Sequence, residues 1–155
     1  EQRILISADA LWENGFGVVF PELEGIAAFD EVEAVLDMIE RLPVRAVIPG
    51  HGAPFSDVPE ALKRARHRLA GQRADPARHA RHGAKVMIKY HLMEERSQPW
   101  PELLEWTLAT PLFTRVWERF ARNETASAAR WGERLPGELV GSGALTMRDG
   151  VLHDA

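Results

Sequence analysis

The order strand, helix, strand near the start of the chain limits the fold more than any other feature of the sequence. Residues 3–8, "RILISA", are apolar and β-prone and read as a buried strand that ends at Asp9. Residues 45–49 repeat the character in "RAVIP". Between them, residues 29–42 carry Phe29, Val32, Val35, Leu36 and Ile39 at helical spacing, with acids interspersed. Asp30 and Glu31 sit where a helix dipole favours negative charge, and Pro43 stops the helix. That order argues an α/β unit.

The second strand runs straight into "GHGAPF". Pro49 ends the strand, and Gly50 and Gly52 permit backbone geometries that other residues resist. His51 is thus expected on a tight loop at a strand end, where binding and catalytic groups concentrate. Asp9 is expected at the end of the first strand. Neighbouring strand ends of an α/β sheet meet at one edge, so a carboxylate and an imidazole are expected together there. That pair suits zinc, iron or manganese. The stretch between, "ALWENGFGVVFPELEG", has no clear period and reads as a long loop with a short strand at residues 18–20.

From Pro59 the character turns helical. Val58, Leu62, Ala65 and Leu69 stack along one helix, Asp75-Pro76 restarts the next, and Val86, Met87, Tyr90 and Met93 form that one's expected apolar face. Ser97 reads as an N-cap before Pro99 and Pro101. "TPLFTRVWERFARN" reads as a helix with Phe113, Val116, Trp117 and Phe120 inward, and "ETASAARWGERLPGELVGSGAL" as a broken helix. "ALTMRDGVLHD" reads as a hairpin turning on Asp149-Gly150. Trp100, Trp106, Trp117 and Trp131 are expected in the core.

Charge separates the regions. Residues 1–57 hold 3 basic against 11 acidic residues, 58–96 hold 10 against 4, and 97–155 hold 6 against 8, within a net −4. The chain has no cysteine, which excludes disulfides and thiolate-bound metal. No apolar run approaches the ~20 residues of a membrane helix, so no membrane partner is expected. A cytoplasmic protein fits these features. The first residue is Glu1, directly ahead of a strand, which reads as a piece of a longer protein.

The segments "SADALWENGFGVVFPELEG", "AFDEVEAVLDMIERL" and "AVIPGHGAPFSD" together resemble the C-terminal half of a metallo-β-lactamase-fold hydrolase. The resemblance implies that residues 1–57 are the C-terminal part of an αββα sandwich. It implies that Asp9 is a metal-bridging carboxylate and His51 the last histidine ligand, these being the two catalytic groups. Two zinc ions are implied for the whole protein, and other divalent metals are compatible. The implied reaction is attack of a metal-bound hydroxide on an ester, thioester or lactone of a small-molecule substrate. Trp12 and Phe55 flank the two ligands and are candidate pocket residues. The family's His-x-His-x-Asp-His motif does not occur, and His67, His79, His82, His91 and His153 do not offer its spacing. Its ligands are expected upstream, and the 155 residues alone are expected to bind zinc weakly or not at all and to hydrolyse nothing.

Residues 58–155 are expected as a mostly helical domain ending in a β-hairpin, and "GELVGSGALTMRDGVLHD" resembles the end of a winged-helix domain. The tail reads as a lid or oligomerisation element. An alternative reading gives the basic segment 63–89 a nucleic-acid-contact role. Arg130 and Arg134 against Glu124, Glu133 and Glu138 make a poor reading head, so nucleic acid is not the expected partner. His79 and His82, spaced i, i+3 among Arg78, Arg81 and Lys85, read as a solvated basic helix face. An exposed sheet edge and apolar face are expected to associate, as in a homo-oligomer.

Overall fold

The computed structural model describes residues 3–155 and is mixed α/β, mostly helical, with two small sheets. Contacts divide the chain into two compact units, residues 1–22 with 26–75, and residues 23–25 with 76–155. This division falls at Asp75–Pro76, one helix beyond the change in composition at 57–58. No helix among the described residues is long and apolar enough to cross a membrane.

In the first unit, β1 (Ile4–Ala8) pairs in parallel with β2 (Ala46–Pro49), Ile4 opposite Ala46 and Ile6 opposite Ile48. The helix α2 (Phe29–Arg41) makes the crossover. Its Phe29, Leu36 and Ile39 are buried, and Val32 and Val35 pack at the margin of the same core. Glu22, on the short helix α1 (Phe20–Glu24), accepts from the N–H groups of Ala28 (2.5 Å) and Phe29 (2.9 Å) and so caps α2. The strand expected at residues 18–20 is absent: Val18 and Val19 are irregular and Phe20 opens α1, whose Pro21 suits a first helical turn.

Helix α3 (Val58–Ala74) starts at the N-cap Asp57, whose side chain accepts from the Glu60 N–H. It buries Val58, Ala61, Leu62, Ala65 and Leu69 against the core shared by Leu36, Val47 and Phe55. Its basic residues are turned to the acids of α2. Arg66 meets Asp37 (2.7 Å) and Glu40 (2.8 Å), and Arg73 meets Asp30 and Glu33 (both 2.8 Å). Opposite regional charges thus close on one another within the unit.

The β1–β2 sheet is covered on one face. Ser7 and Val47 point into the core, while Ile4, Ile6 (77% exposed) and Ile48 point outward. The expectation of a buried strand is corrected by this alternation: period-2 geometry gives each face its own set, and both sets here are largely apolar.

The second unit is built on α4 (Pro76–Glu95), which contacts α6 (Pro111–Val116), α7 (Ala128–Gly141) and β5 (Val151–Asp154). The buried face of α4 is His79, Ala80, Gly83, Ala84, Ile88 and Leu92, whereas Tyr90 and Met93 are exposed. The sequence favoured the larger side chains, but small residues let neighbouring helices approach closely and so make the seam. His79 is accordingly buried and His82 exposed, so the i, i+3 pair does not share a solvated face.

Ser97 is no N-cap. Ser97–Pro99 is a short strand, β3, antiparallel to β5, and α5 (Trp100–Ala109) begins at Trp100. An edge strand tolerates the proline that cannot donate. β5 pairs on its other side with β4 (Leu145–Arg148), giving the order β3-β5-β4. Asp149 (φ 51°) and Gly150 (φ 76°) make the expected two-residue turn. α6 continues through a π-helical turn, Trp117–Ala121. α7 is unbroken through Pro136, which has no N–H to donate to the carbonyl of Gly132 one turn earlier. α7 also nears α5 at Gly132, where a Cβ would stand 3.2 Å from Thr107 Cγ2. Trp131 is fully buried, and Trp100, Trp106 and Trp117 are half-buried.

Arg81 on α4 joins Glu138 on α7 and Glu124, and Lys85 adds a longer contact to Glu138 (3.4 Å). The hydrogen bond from Arg81 holds the Glu138 carboxyl below its ordinary value, against an opposing effect of burial. A depressed carboxyl stabilises the fold above its unfolded-state pKa of ~4.3, and that stability is lost as pH falls through the lower folded-state value. Urea midpoints are therefore expected to drop below about pH 4.5. Glu138→Gln should flatten that acid limb and lower stability at pH 7 by about 1–2 kcal/mol, the pair being partly solvated. An unchanged limb in the variant would show that the pair contributes nothing.

Candidate functional site

The site forms where β1 and β2 end. After Ile6 the β1–β2 register slips, and Ala8 takes a left-handed conformation (φ 45°) that a side chain adopts reluctantly. The chain then turns tightly. The Ala10 N–H donates to the Ser7 carbonyl (2.9 Å), and the buried Ser7 hydroxyl donates to the Leu11 carbonyl (2.6 Å). This turn lifts Asp9 out of the sheet into solvent.

On the neighbouring strand, Val47 and Phe55 exchange backbone hydrogen bonds of 2.8 and 3.0 Å. That exchange closes residues 48–54 into a loop with His51 near its tip. Gly50 donates its N–H to the Ala8 carbonyl (2.8 Å). It also lies so close to β1 that a Cβ would stand 2.8 Å from Asp9 Oδ1 and 3.1 Å from the Ala8 carbonyl carbon and oxygen. Glycine is required there by approach; at Gly52 it is the backbone (φ 91°) that favours it.

The result brings together the two residues that the strand ends were expected to juxtapose. His51 Nε2 lies 3.8 Å from Asp9 Oδ1, with side chains 61% and 71% exposed. That separation is long for a hydrogen bond. It is near the about 3.4 Å between two donors sharing one tetrahedral ion at bond lengths of ~2.1 Å. Carboxylate and imidazole are both zinc donors, so the pair fits part of a metal site. Among the described residues, no group of three or more His, Cys, Asp or Glu is placed to hold an ion. The chain brings two donors.

Trp12 is beside His51, its ring centroid 5.0 Å away and its plane inclined by 73°. Phe55 is buried in the core of the first unit with Val47 and Leu62. The Ala8 carbonyl also accepts from the Trp12 indole (3.2 Å), so this one oxygen ties both arms of the site. Nothing in the sequence signals that role for a backbone atom of alanine.

In the second unit, His91 stacks on Trp106 with centroids 3.9 Å apart and shares a 2.8 Å hydrogen bond with Gln98. This joins α4, β3 and α5, and the arrangement is one of packing. No protein-family model matches the chain, and no curated protein matches it.

Proposed function

We propose that the chain is the C-terminal portion of a metallo-β-lactamase-fold hydrolase and supplies Asp9 and His51 to its zinc centre. The observation that carries this reading is the 3.8 Å approach of an exposed carboxylate and an exposed imidazole at the ends of two adjacent parallel strands. A second support is the outward apolar face of the sheet, Ile4, Ile6 and Ile48. Parallel sheets are covered on both faces almost without exception, and the other half of a sandwich would cover this one.

Zinc supplies Lewis acidity and a water that ionises near neutral pH. Asp9 would hold metal through its carboxylate, and His51 through Nε2. Gly50 leaves the space beside the Asp9 carboxylate free of a side chain. Further ligands would come from a segment bearing His-x-His-x-Asp-His. The substrate in this reading is a small ester, thioester or lactone.

The order α4, β3, α5, α6 with its π-helical turn, α7, hairpin, with β3 on the far side of β5 from β4, supports a winged-helix-like second domain. Nucleic acid is not its proposed partner. Arg66, Arg73, Arg81 and Lys85, within the basic segment, are engaged by acids of their own unit. A cytoplasmic location accords with the lack of cysteine.

Titration of the metal-free chain with zinc, followed by calorimetry, tests the reading. Weak one-to-one binding is expected, falling by at least about 10-fold in an Asp9→Ala, His51→Ala double variant. Equal binding by both proteins would remove these residues from the metal site. Hydrolysis by the purified 155-residue chain would overturn the assignment of missing ligands.

A further inference from the structure

His51 sits on a loop flanked by glycines, and its imidazole Nε2 lies 3.8 Å from Asp9 Oδ1, beyond hydrogen-bond distance. A ligand on such a loop loses rotamer freedom when it binds metal, unless something has already fixed it. The side chain against it is Trp12. Trp12 is itself held at three points, two of them on its indole. Its Nε1–H donates to the Ala8 carbonyl (3.2 Å). Its backbone forms a closed pair with Gly15, Trp12 N–H to Gly15 O at 2.6 Å and the return bond at 3.3 Å. Its six-membered ring abuts Gly17, where a Cβ would stand 3.4 Å from Cζ2 and Cη2.

We propose that Trp12 is a positioning residue for His51: the anchored indole, inclined against the imidazole, holds the ring in the orientation that presents Nε2 toward Asp9. The inference rests on the reading of His51 as a metal ligand for its functional meaning, while the orientation itself is a property of the metal-free chain. The anchor on the Ala8 carbonyl matters because Gly50, the residue before His51, hangs from the same oxygen. One backbone atom therefore sets the loop, the indole and, through the indole, the imidazole. Aromatic pairs inclined in this way attract beyond their area of contact. The effect on metal binding would be that of an outer-shell partner, which orients a ligand without touching the ion.

The test uses the full chain with its histidines labelled, read by proton–carbon correlation of the ring signals. His51→Gln identifies the His51 resonances among the six histidines. In the wild type these signals should be displaced by the indole ring current. Trp12→Leu should return them toward the position of a free histidine and leave the other five in place. Trp12→Phe should keep most of the displacement, because an aromatic ring remains. Zinc affinity, measured on the same samples, should fall about 10-fold in the leucine variant and be largely restored in the phenylalanine one. His51 signals that do not move in Trp12→Leu overturn the proposal. If the leucine variant does not fold, a free-histidine position in folded Trp12→Phe overturns it instead. A ring-current shift that responds to Trp12, with zinc bound equally by the wild type and the Asp9→Ala, His51→Ala variant, would sink the metal reading and leave the positioning one standing.

Discussion

Trp131→Ala is expected to cost the second unit about 3–5 kcal/mol, the range for deleting a large buried aromatic side chain. The indole is 1% exposed, on a helix that contacts α4, α5 and β4. Gly132 beside it brings α7 close to Thr107, so the backbone has little room to collapse into the cavity. A domain of this size rests on 5–15 kcal/mol, and the loss corresponds to a melting temperature lower by roughly 15–30 °C. Trp131→Phe should cost about 1–2 kcal/mol. Among the described residues Trp131 Nε1 has no hydrogen-bond acceptor, so phenylalanine removes volume without breaking a bond. Thermal melts followed by circular dichroism decide the matter. A loss under about 1 kcal/mol for alanine would mean that the helices can close over the gap.

Gly50→Ala should act on the site rather than on the core. The new methyl would stand 2.8 Å from Asp9 Oδ1, and that exposed carboxylate can swing aside. The Ala8 carbonyl, at 3.1 Å, is backbone and can yield much less. The stability cost is therefore expected near 1 kcal/mol, while the carboxylate leaves its place opposite His51. Zinc binding should weaken about 10-fold or more. Gly71→Ala is the control, since nothing lies within 4 Å of its added Cβ, and binding should be unchanged. Equal affinity in the Gly50 variant would show that the carboxylate does not need the position seen here.

The strand–helix–strand core was legible because Phe29, Leu36 and Ile39 repeat at helical spacing between two β-prone runs, and these same residues are buried. The Asp9–His51 approach was legible for the same reason: strand ends in such a unit meet at one edge. β3 was not. Ser97–Pro99 is held by pairing with residues 151–153, which no local pattern can announce. The face of α4 was misjudged because Ala80, Gly83 and Ala84 are weakly hydrophobic yet form the close seam, leaving Tyr90 and Met93 outside. The basic segment 63–89 offered phosphate contact only as an alternative, and its Arg66 and Arg73 lie against the acids of α2, a pairing that no local pattern announces. Which residues touch Trp12 could not be read, since they are set by one left-handed residue, Ala8.

The register that sets Ile4 beside Ala46 also orders events in time. β4 and β5 are joined by two residues and can zip together in roughly 1–10 μs. β1 and β2 have no such shortcut. Their meeting must wait until the long stretch between them has been gathered, and each doubling of that length adds only about 0.6 kcal/mol of entropy but many more wrong encounters. Helix α2 shortens the distance, and its buried Phe29, Leu36 and Ile39 share a core with Val47, with Leu5 at the margin. The backbone amide of Gly50, which donates to the Ala8 carbonyl across the strand ends, should thus gain protection from exchange after those of α2. Asp9 and His51, at the far ends of the late-paired strands, are then among the last groups of their unit to come together and the first to part when the sheet opens.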